Sequence, residues 1–287
     1  MEILITGATG SVGQHLVKEC LKRGYNVTCL TRPKSALPTF LKETNIIFAD
    51  LMDNNLSSKI TGKFDVIYHL AADRTFETNY YGTKNLIKSL KDNPKLIYMS
   101  SVSVSGTSFR NQKLNEETDC YPETPYAKGK YEAENLIKKQ MKNYVILRSP
   151  RVYGPGDRQN TFLNLVKFIR FGLLPISKIR IDLIYVKNLV NALLQARNFN
   201  RETFIISDGS FSLKEISLTI KKILKKKTYI EFKITSQIFT IIRIISGKFE
   251  YSSKGITYSA RKAKSNLGYK SLYNLKEGLR ETIKCMK

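Results

Sequence analysis

Ile3-Leu4-Ile5-Thr6-Gly7-Ala8-Thr9-Gly10-Ser11-Val12-Gly13 is an apolar run that breaks into three glycines spaced three apart. Its reading, as a strand, a tight turn and the start of a helix, decides the fold. Glycine permits backbone angles and close approaches that a Cβ would block, and the helix that follows presents unpaired N–H groups at its positive end. A dinucleotide pyrophosphate fits such a turn, so Gly7, Gly10, Ser11, Val12 and Gly13 are candidate cofactor-binding residues. The spacing Gly-x-x-Gly-x-x-Gly departs from the commoner Gly-x-Gly-x-x-Gly. Context compensates: a strand precedes it, and Val12, Leu16, Val17, Cys20 and Leu21 recur at helical period after it.

Outward from this stretch, apolar runs at 27–31, 46–49, 66–70, 96–100 and 145–148 predict further strands, each next to a segment of helical period. A helix is expected over 79–91, and Thr124-Pro125 reads as the cap and first turn of another that carries Tyr126, Ala133, Leu136, Ile137 and Met141. The alternation predicts an α/β fold: a Rossmann-type doubly wound parallel sheet with a smaller C-terminal substrate-binding domain. Residues 1–154 are assigned to the dinucleotide-binding part, with 181–207 returning to the sheet as strand, helix and strand. Residues 155–180 and 208–287 are assigned to the substrate-binding region, over the carboxyl ends of the strands, where open α/β sheets bind ligands.

The 287-residue chain carries a formal charge of +24, a balance that suits nucleic acid, anionic lipid or a phosphorylated substrate. Its lysines are scattered, with no helix-turn-helix, zinc-finger or aromatic RNA-binding signature, so a nucleic-acid partner is not expected. Cys20, Cys29, Cys120 and Cys285 share no close spacing, which indicates neither a metal site nor a disulfide framework. The first strand begins at once, leaving no room for a signal peptide, and no apolar run reaches a membrane span, so a cytoplasmic protein is expected. The stretch 232–249, with Ile234, Ile238, Phe239, Ile241, Ile242, Ile244 and Ile245 flanked by Lys233, Arg243 and Lys248, has two readings. It lies on an anionic membrane and admits a lipid-linked substrate, or it is a buried helix or pocket wall; its shortness favours the second.

Tyr126 and Lys130 stand four apart on a predicted helix, hence on one face. A phenol is a poor base at neutral pH, but a neighbouring ammonium favours the phenolate. Upstream, Ile97-Tyr98-Met99-Ser100-Ser101 ends a strand in hydroxyls, where a sheet delivers side chains to a ligand.

With these residues the chain resembles the extended short-chain dehydrogenase/reductase, or NAD-dependent epimerase/dehydratase, family over nearly its whole length. The resemblance rests on Thr6-Gly7-x-x-Gly10-x-x-Gly13, Asp50-Leu51-x-Asp53, His69-Leu70-Ala71-Ala72, Asn79-x-x-Gly82-Thr83, Ser100-Ser101, Tyr126-x-x-x-Lys130 and Arg148-x-Pro150-x-Val152-Tyr153-Gly154-Pro155-Gly156. It implies that Tyr126 is the general acid/base, that Lys130 binds the nicotinamide ribose and depresses the tyrosine pKa, that Ser101 (with Ser100 as fallback) hydrogen-bonds the reacting oxygen, and that Asn79 supports the helix and proton relay. It further implies that Asp50 and Leu51 touch the adenine, that Ala71 and Ala72 line the cofactor channel, that Pro150 lies beside the nicotinamide, and that His69 is structural. A homodimer is compatible with the family.

The second predicted strand ends Cys29-Leu30-Thr31-Arg32 without a carboxylate. An acid there would bind the ribose hydroxyls and repel a 2′-phosphate, so Arg32 favours NADP(H), with NAD(H) as the alternative. Three departures from the family bear on substrate. Val102-Ser103 replaces the Asp-Glu pair of sugar 4,6-dehydratases; Arg151 stands where nucleotide-sugar epimerases usually carry an asparagine, and can still grip a phosphate; and the stretch 73–78 is much shorter than usual. The expected function is hydride transfer at a secondary alcohol or ketone carbon of a small substrate, of phosphorylated or sugar type, by an NAD(P)-dependent oxidoreductase with a Ser-Tyr-Lys site. The alternatives are a nucleotide-sugar or lipid-linked-sugar 4-epimerase that retains NAD, and a non-catalytic cofactor-binding regulator.

Overall fold

A computed structural model describes residues 1–32, 37–109, 112–157, 161–233 and 256–286. In chain order these form β1 (Glu2–Thr6), α1 (Gly13–Lys22), β2 (Asn26–Thr31), β3 (Asn45–Phe48), α2 (Leu56–Lys59), β4 (Val66–His69), α3 (Phe76–Ser89), β5 (Lys95–Ser101), β6 (Lys113–Leu114), α4 (Pro125–Gln140) and β7 (Tyr144–Ser149). There follow β8 (Arg151–Tyr153), α5 (Leu163–Arg170), β9 (Leu173–Ile176), β10 (Arg180–Tyr185), α6 (Val186–Ala196), β11 (Glu202–Ile205), β12 (Gly209–Ser212), α7 (Leu213–Ile223), β13 (Ile230–Lys233), β14 (Thr257–Tyr258) and α8 (Leu275–Lys284).

Seven strands form one sheet in the order β11-β7-β5-β4-β1-β2-β3, every pair parallel. Its strands are apolar on both faces, as a parallel sheet covered by helices requires. Leu4, Ile67, Leu96 and Ile146 face a core with Leu86 and Ile87 of α3 and Ala133 and Ile137 of α4. Ile3, Ile5, Tyr68, Ile97, Val145 and Leu147 face the other way, against Leu16 and Val17 of α1 and Leu189 and Leu193 of α6. The chain runs outward from β1 through β2 to β3, then crosses back to β4 and builds the other half. The crevice at this reversal, between the carboxyl ends of β1 and β4, is where doubly wound sheets take a ligand.

The expected return of 181–207 to the sheet is only half realised. β11 pairs with β7, but β10 lies in a separate sheet of order β12-β10-β8. Pro150 accounts for this: it has no N–H to continue the β7 ladder, so the strand breaks there and resumes as β8, beside which β10 aligns. The C-terminal helices share a core with the sheet, through Ile216 and Ile220 of α7 and Leu279 and Ile283 of α8. Of the stretch 232–249, only Phe232 and Lys233 fall within the described residues, so its membrane and pocket-wall readings lie outside them. Among the described residues no helix is long and apolar enough to cross a membrane.

Candidate active site

The glycine turn leaves β1 at the mouth of the crevice. Gly7 has φ +70°, and a Cβ built on it would stand 2.7 Å from the Ala71 nitrogen. On Gly13 a Cβ would stand 2.1 Å from the Gly7 carbonyl oxygen. Both positions therefore demand glycine, one for its backbone angle and both for space. The Gly10 N–H donates to the Gly7 carbonyl at 2.9 Å. Helix α1 then begins with no side-chain cap from Val12 and no acidic residue in its first turn, so its positive end is neutralised by neither device. These residues fit a dinucleotide pyrophosphate. The loop at Pro155 closes over the same helix, its carbonyl 2.8 Å from His15 Nε2.

A buried polar chain fixes the distance between the two strands that flank the crevice. The Ala71 N–H donates to Thr6 Oγ1 at 3.2 Å, and Thr6 Oγ1 lies 2.7 Å from His69 Nδ1. His69 Nε2 lies 2.9 Å from Thr83 Oγ1, which donates to the Asn79 carbonyl. Only one assignment satisfies every group: His69 is neutral, donates from Nε2 and accepts at Nδ1. Burial, reinforced by the Lys130 charge, pushes its pKa down to about 3. His69 is thus structural, holding the Ala71 backbone against the glycine turn.

Helix α4 opens as its sequence predicts, with Thr124 Oγ1 accepting from the Ala127 N–H at 3.1 Å and Pro125 in the first turn. Tyr126, Lys130 and Glu134 follow at helical spacing on one face. Tyr126 is half-buried, whereas Lys130 is 1% exposed. Lys130 Nζ donates to the Met99 carbonyl at 2.8 Å and lies 4.5 Å from the centre of the Tyr98 ring. Burial pulls its pKa down to about 7, against the opposing pull of the Glu134 and Asp73 carboxylates.

The two serines at the end of β5 separate by environment. Ser100 Oγ is buried and donates to Glu134 Oε1 at 2.5 Å. Ser101 Oγ is half-buried and accepts from both the N–H and the hydroxyl of Ser103, which leaves its own proton for an oxygen at the crevice. Asn79 is buried; its Nδ2 donates to the carbonyls of Asp73 and Thr75, anchoring the turn before α3, and its Oδ1 has no hydrogen-bond partner among the described residues.

The remaining candidates follow the carboxyl ends of β2, β3, β4 and β7. Ala71 and Ala72 follow β4, half-buried and exposed respectively, and Pro150 is buried between β7 and β8, next to half-buried Arg151. Asp50 Oδ1 accepts from the Met52 N–H at 2.9 Å, and the buried Leu51 receives Asn85 Nδ2 on its carbonyl at 3.0 Å, so this loop is clamped to α3. Arg32 is exposed at the end of β2 and acts electrostatically on Asp73. Burial opposes ionisation of the Asp73 carboxyl, but hydrogen bonds from Thr75 and Thr78, helped by Arg32, hold it below the usual carboxylate range. Sequence reading missed Asp73, which acts on both Arg32 and Lys130; its position directly after Ala72 was the available signal. Glu134 was also missed, although the i+8 spacing from Tyr126 was there to read.

The family described as NAD dependent epimerase/dehydratase matches residues 3–206. The chain belongs to this family. It is therefore an enzyme of nicotinamide chemistry. Over 98% of its length and 94% of the relative's it is 28% identical to a UDP-glucose 4-epimerase of Vibrio cholerae. The UDP-glucose 4-epimerase of Thermotoga maritima, solved with UDP-glucose, superposes with a TM-score of 0.80 at 22% identity, covering 99% of this chain and 98% of that one. The UDP-glucuronic acid 4-epimerase of Bacillus cereus, solved with UDP-glucuronic acid and NAD, gives a TM-score of 0.78 at 24% identity, covering 100% and 99%.

Proposed function

We propose that the protein removes hydride from a secondary carbinol carbon of a nucleotide sugar and returns it to the other face, keeping NAD bound between the steps. The observation that supports this reading is that Ser101 ends β5 while Tyr126 and the buried Lys130 share one face of the first turns of α4, with Lys130 Nζ donating to the carbonyl of Met99 on β5. A nicotinamide dinucleotide held by its pyrophosphate on the glycine turn would supply the hydride acceptor and donor. Tyr126, as phenolate, takes the hydroxyl proton and later gives it back. Lys130 keeps that phenolate accessible near neutral pH and donates to the nicotinamide ribose. Ser101 donates to the substrate oxygen as its proton leaves. Arg151, on β8 beside Pro150, would grip a substrate phosphate.

NAD rather than NADP is our reading of the cofactor. Arg32 alone argues for a 2′-phosphate, but the Asp73 carboxylate, beyond the end of β4 on the other side of β1, acts on its charge, and that carboxylate would repel the phosphate. The Vibrio cholerae relative, matched over 94% of its length, is an epimerase, and an epimerase has no need of a cofactor exchanged with a reduced pool. Net oxidoreduction with NADP(H) is the second reading, carried by the absence of an acid at the end of β2.

The test is to acid-denature the purified protein, identify the nucleotide released, and incubate intact protein with UDP-glucose and with UDP-glucuronic acid. The expected result is stoichiometric NAD and appearance of a C4 epimer in the proton NMR spectrum. A protein that carries no nucleotide, prefers NADPH and loses that preference in Arg32→Ala supports the reductase instead.

A further inference from the structure

We propose that Glu134 is the positioning residue of this site: one buried carboxylate pins together the three segments that build it and favours the protonated form of Lys130. The proposal rests on the function proposed above for Ser101, Tyr126 and Lys130.

Glu134 is fully buried. Ser100 Oγ donates to its Oε1 at 2.5 Å, one residue before Ser101 on β5. Arg148 grips it with two nitrogens, Nε at 3.0 Å from Oε1 and Nη2 at 2.7 Å from Oε2, two residues before Pro150 on β7. Ser100 and Arg148 are partners in the β5–β7 register, so the carboxylate sits across the seam of two strands. Glu134 itself lies one helical turn from Lys130 and two from Tyr126. A single side chain thus sets the rotation and axial height of α4 against the strands that carry Ser101 and Pro150.

Burying an ion pair is costly unless geometry is good, and apolar residues of the same volume often serve stability as well. This one even leaves Arg148 Nη1 without a hydrogen-bond partner in the described contacts, with the Cys120 thiol as a neighbour. A motif kept for stability alone has no reason to place its negative end on the same face as a buried lysine. The groups that act on or touch Lys130 are Glu134 on α4, Tyr98 on β5, neutral His69 on β4 and Asp73 after β4, with Tyr126 one turn earlier on the same face of α4. Glu134 and Asp73 are the carboxylates among them, and Asp73 is exposed and screened while Glu134 is not. Glu134 is faced in turn by Arg148 and, at 4.0 Å, by Lys138.

The test reads Lys130 directly in cofactor-free protein, by the NMR titration of its side-chain ε-carbon, identified by its loss in Lys130→Arg. In Glu134→Gln the midpoint is expected to fall by about one pH unit, a tenfold change in acidity. Glu134→Gln combined with Arg148→Gln leaves no stranded guanidinium and is expected to show the same fall in a well-folded protein. Glu134→Asp keeps the charge but withdraws it from Ser100, so the midpoint should stay while kcat drops about tenfold with KM little changed. A purely structural carboxylate predicts lower melting temperatures in all three with the Lys130 midpoint unmoved, and that result overturns the proposal. If wild-type protein turns over no substrate, the function proposed above fails, while the titration still decides the role of Glu134.

Discussion

At the scale of the residue, Lys130 shows what the site costs the fold. Its folded pKa of about 7 lies far below the 10.5 of a free lysine. At neutral pH the unfolded chain therefore binds a proton more readily than the folded one, and stability is lost to that difference. Lys130→Met is expected to abolish turnover yet stabilise the protein by about 2–4 kcal/mol at pH 7, read by chemical denaturation. The Tyr126 and Lys130 pair was legible because a spacing of four on a helix has a chemical use. Glu134 was less legible, since a carboxylate late in a lysine-rich helix reads first as a solvated face. Only tertiary packing tells it apart, by bringing Ser100 and Arg148 onto it. Of the two serines, the family resemblance favours Ser101 with Ser100 as fallback; that Ser100 is the one turned onto Glu134 depends on tertiary packing.

At the scale of the element, His69 ties β4 to β1 and α3 and does so only when neutral. Its pKa is about 3 when folded against 6.5 when free. Between those values the unfolded chain takes up the proton and the folded chain does not, so the stability this residue contributes is complete above about 6.5 and falls as the pH drops. From pH 7 to about pH 5 the wild type should lose about 2 kcal/mol more than His69→Gln, measured by denaturant titration at both pH values. The elements themselves were well written in the sequence. Apolar runs marked all seven strands of the main sheet, and Thr124-Pro125 marked the start of α4, because caps and continuous apolar strands are local signals. The placement of β10 was not local. Its pattern is that of any buried strand, and its partner was decided by the break at Pro150.

At the scale of the whole molecule, Asp208 fastens the C-terminal segment to the sheet. Its carboxylate accepts from the Tyr185 N–H at 2.7 Å, Asn188 Nδ2 at 2.9 Å, the Tyr269 hydroxyl at 2.5 Å and Ser271 Oγ at 2.7 Å. Asn188 also exchanges two hydrogen bonds with the Tyr273 backbone. Asp208→Ala strands these donors and should cost about 2–4 kcal/mol, with faster amide exchange concentrated in residues 269–284 and little change in β1 and β4. The measurement that bears most directly on the account is single-turnover epimerisation of a nucleotide sugar by wild type and Tyr126→Phe, each with its bound nucleotide quantified. The account predicts equal nucleotide content and a fall of about 10²–10⁴-fold in rate for the variant, the range for loss of a positioned general acid/base. Undiminished turnover in Tyr126→Phe would contradict it.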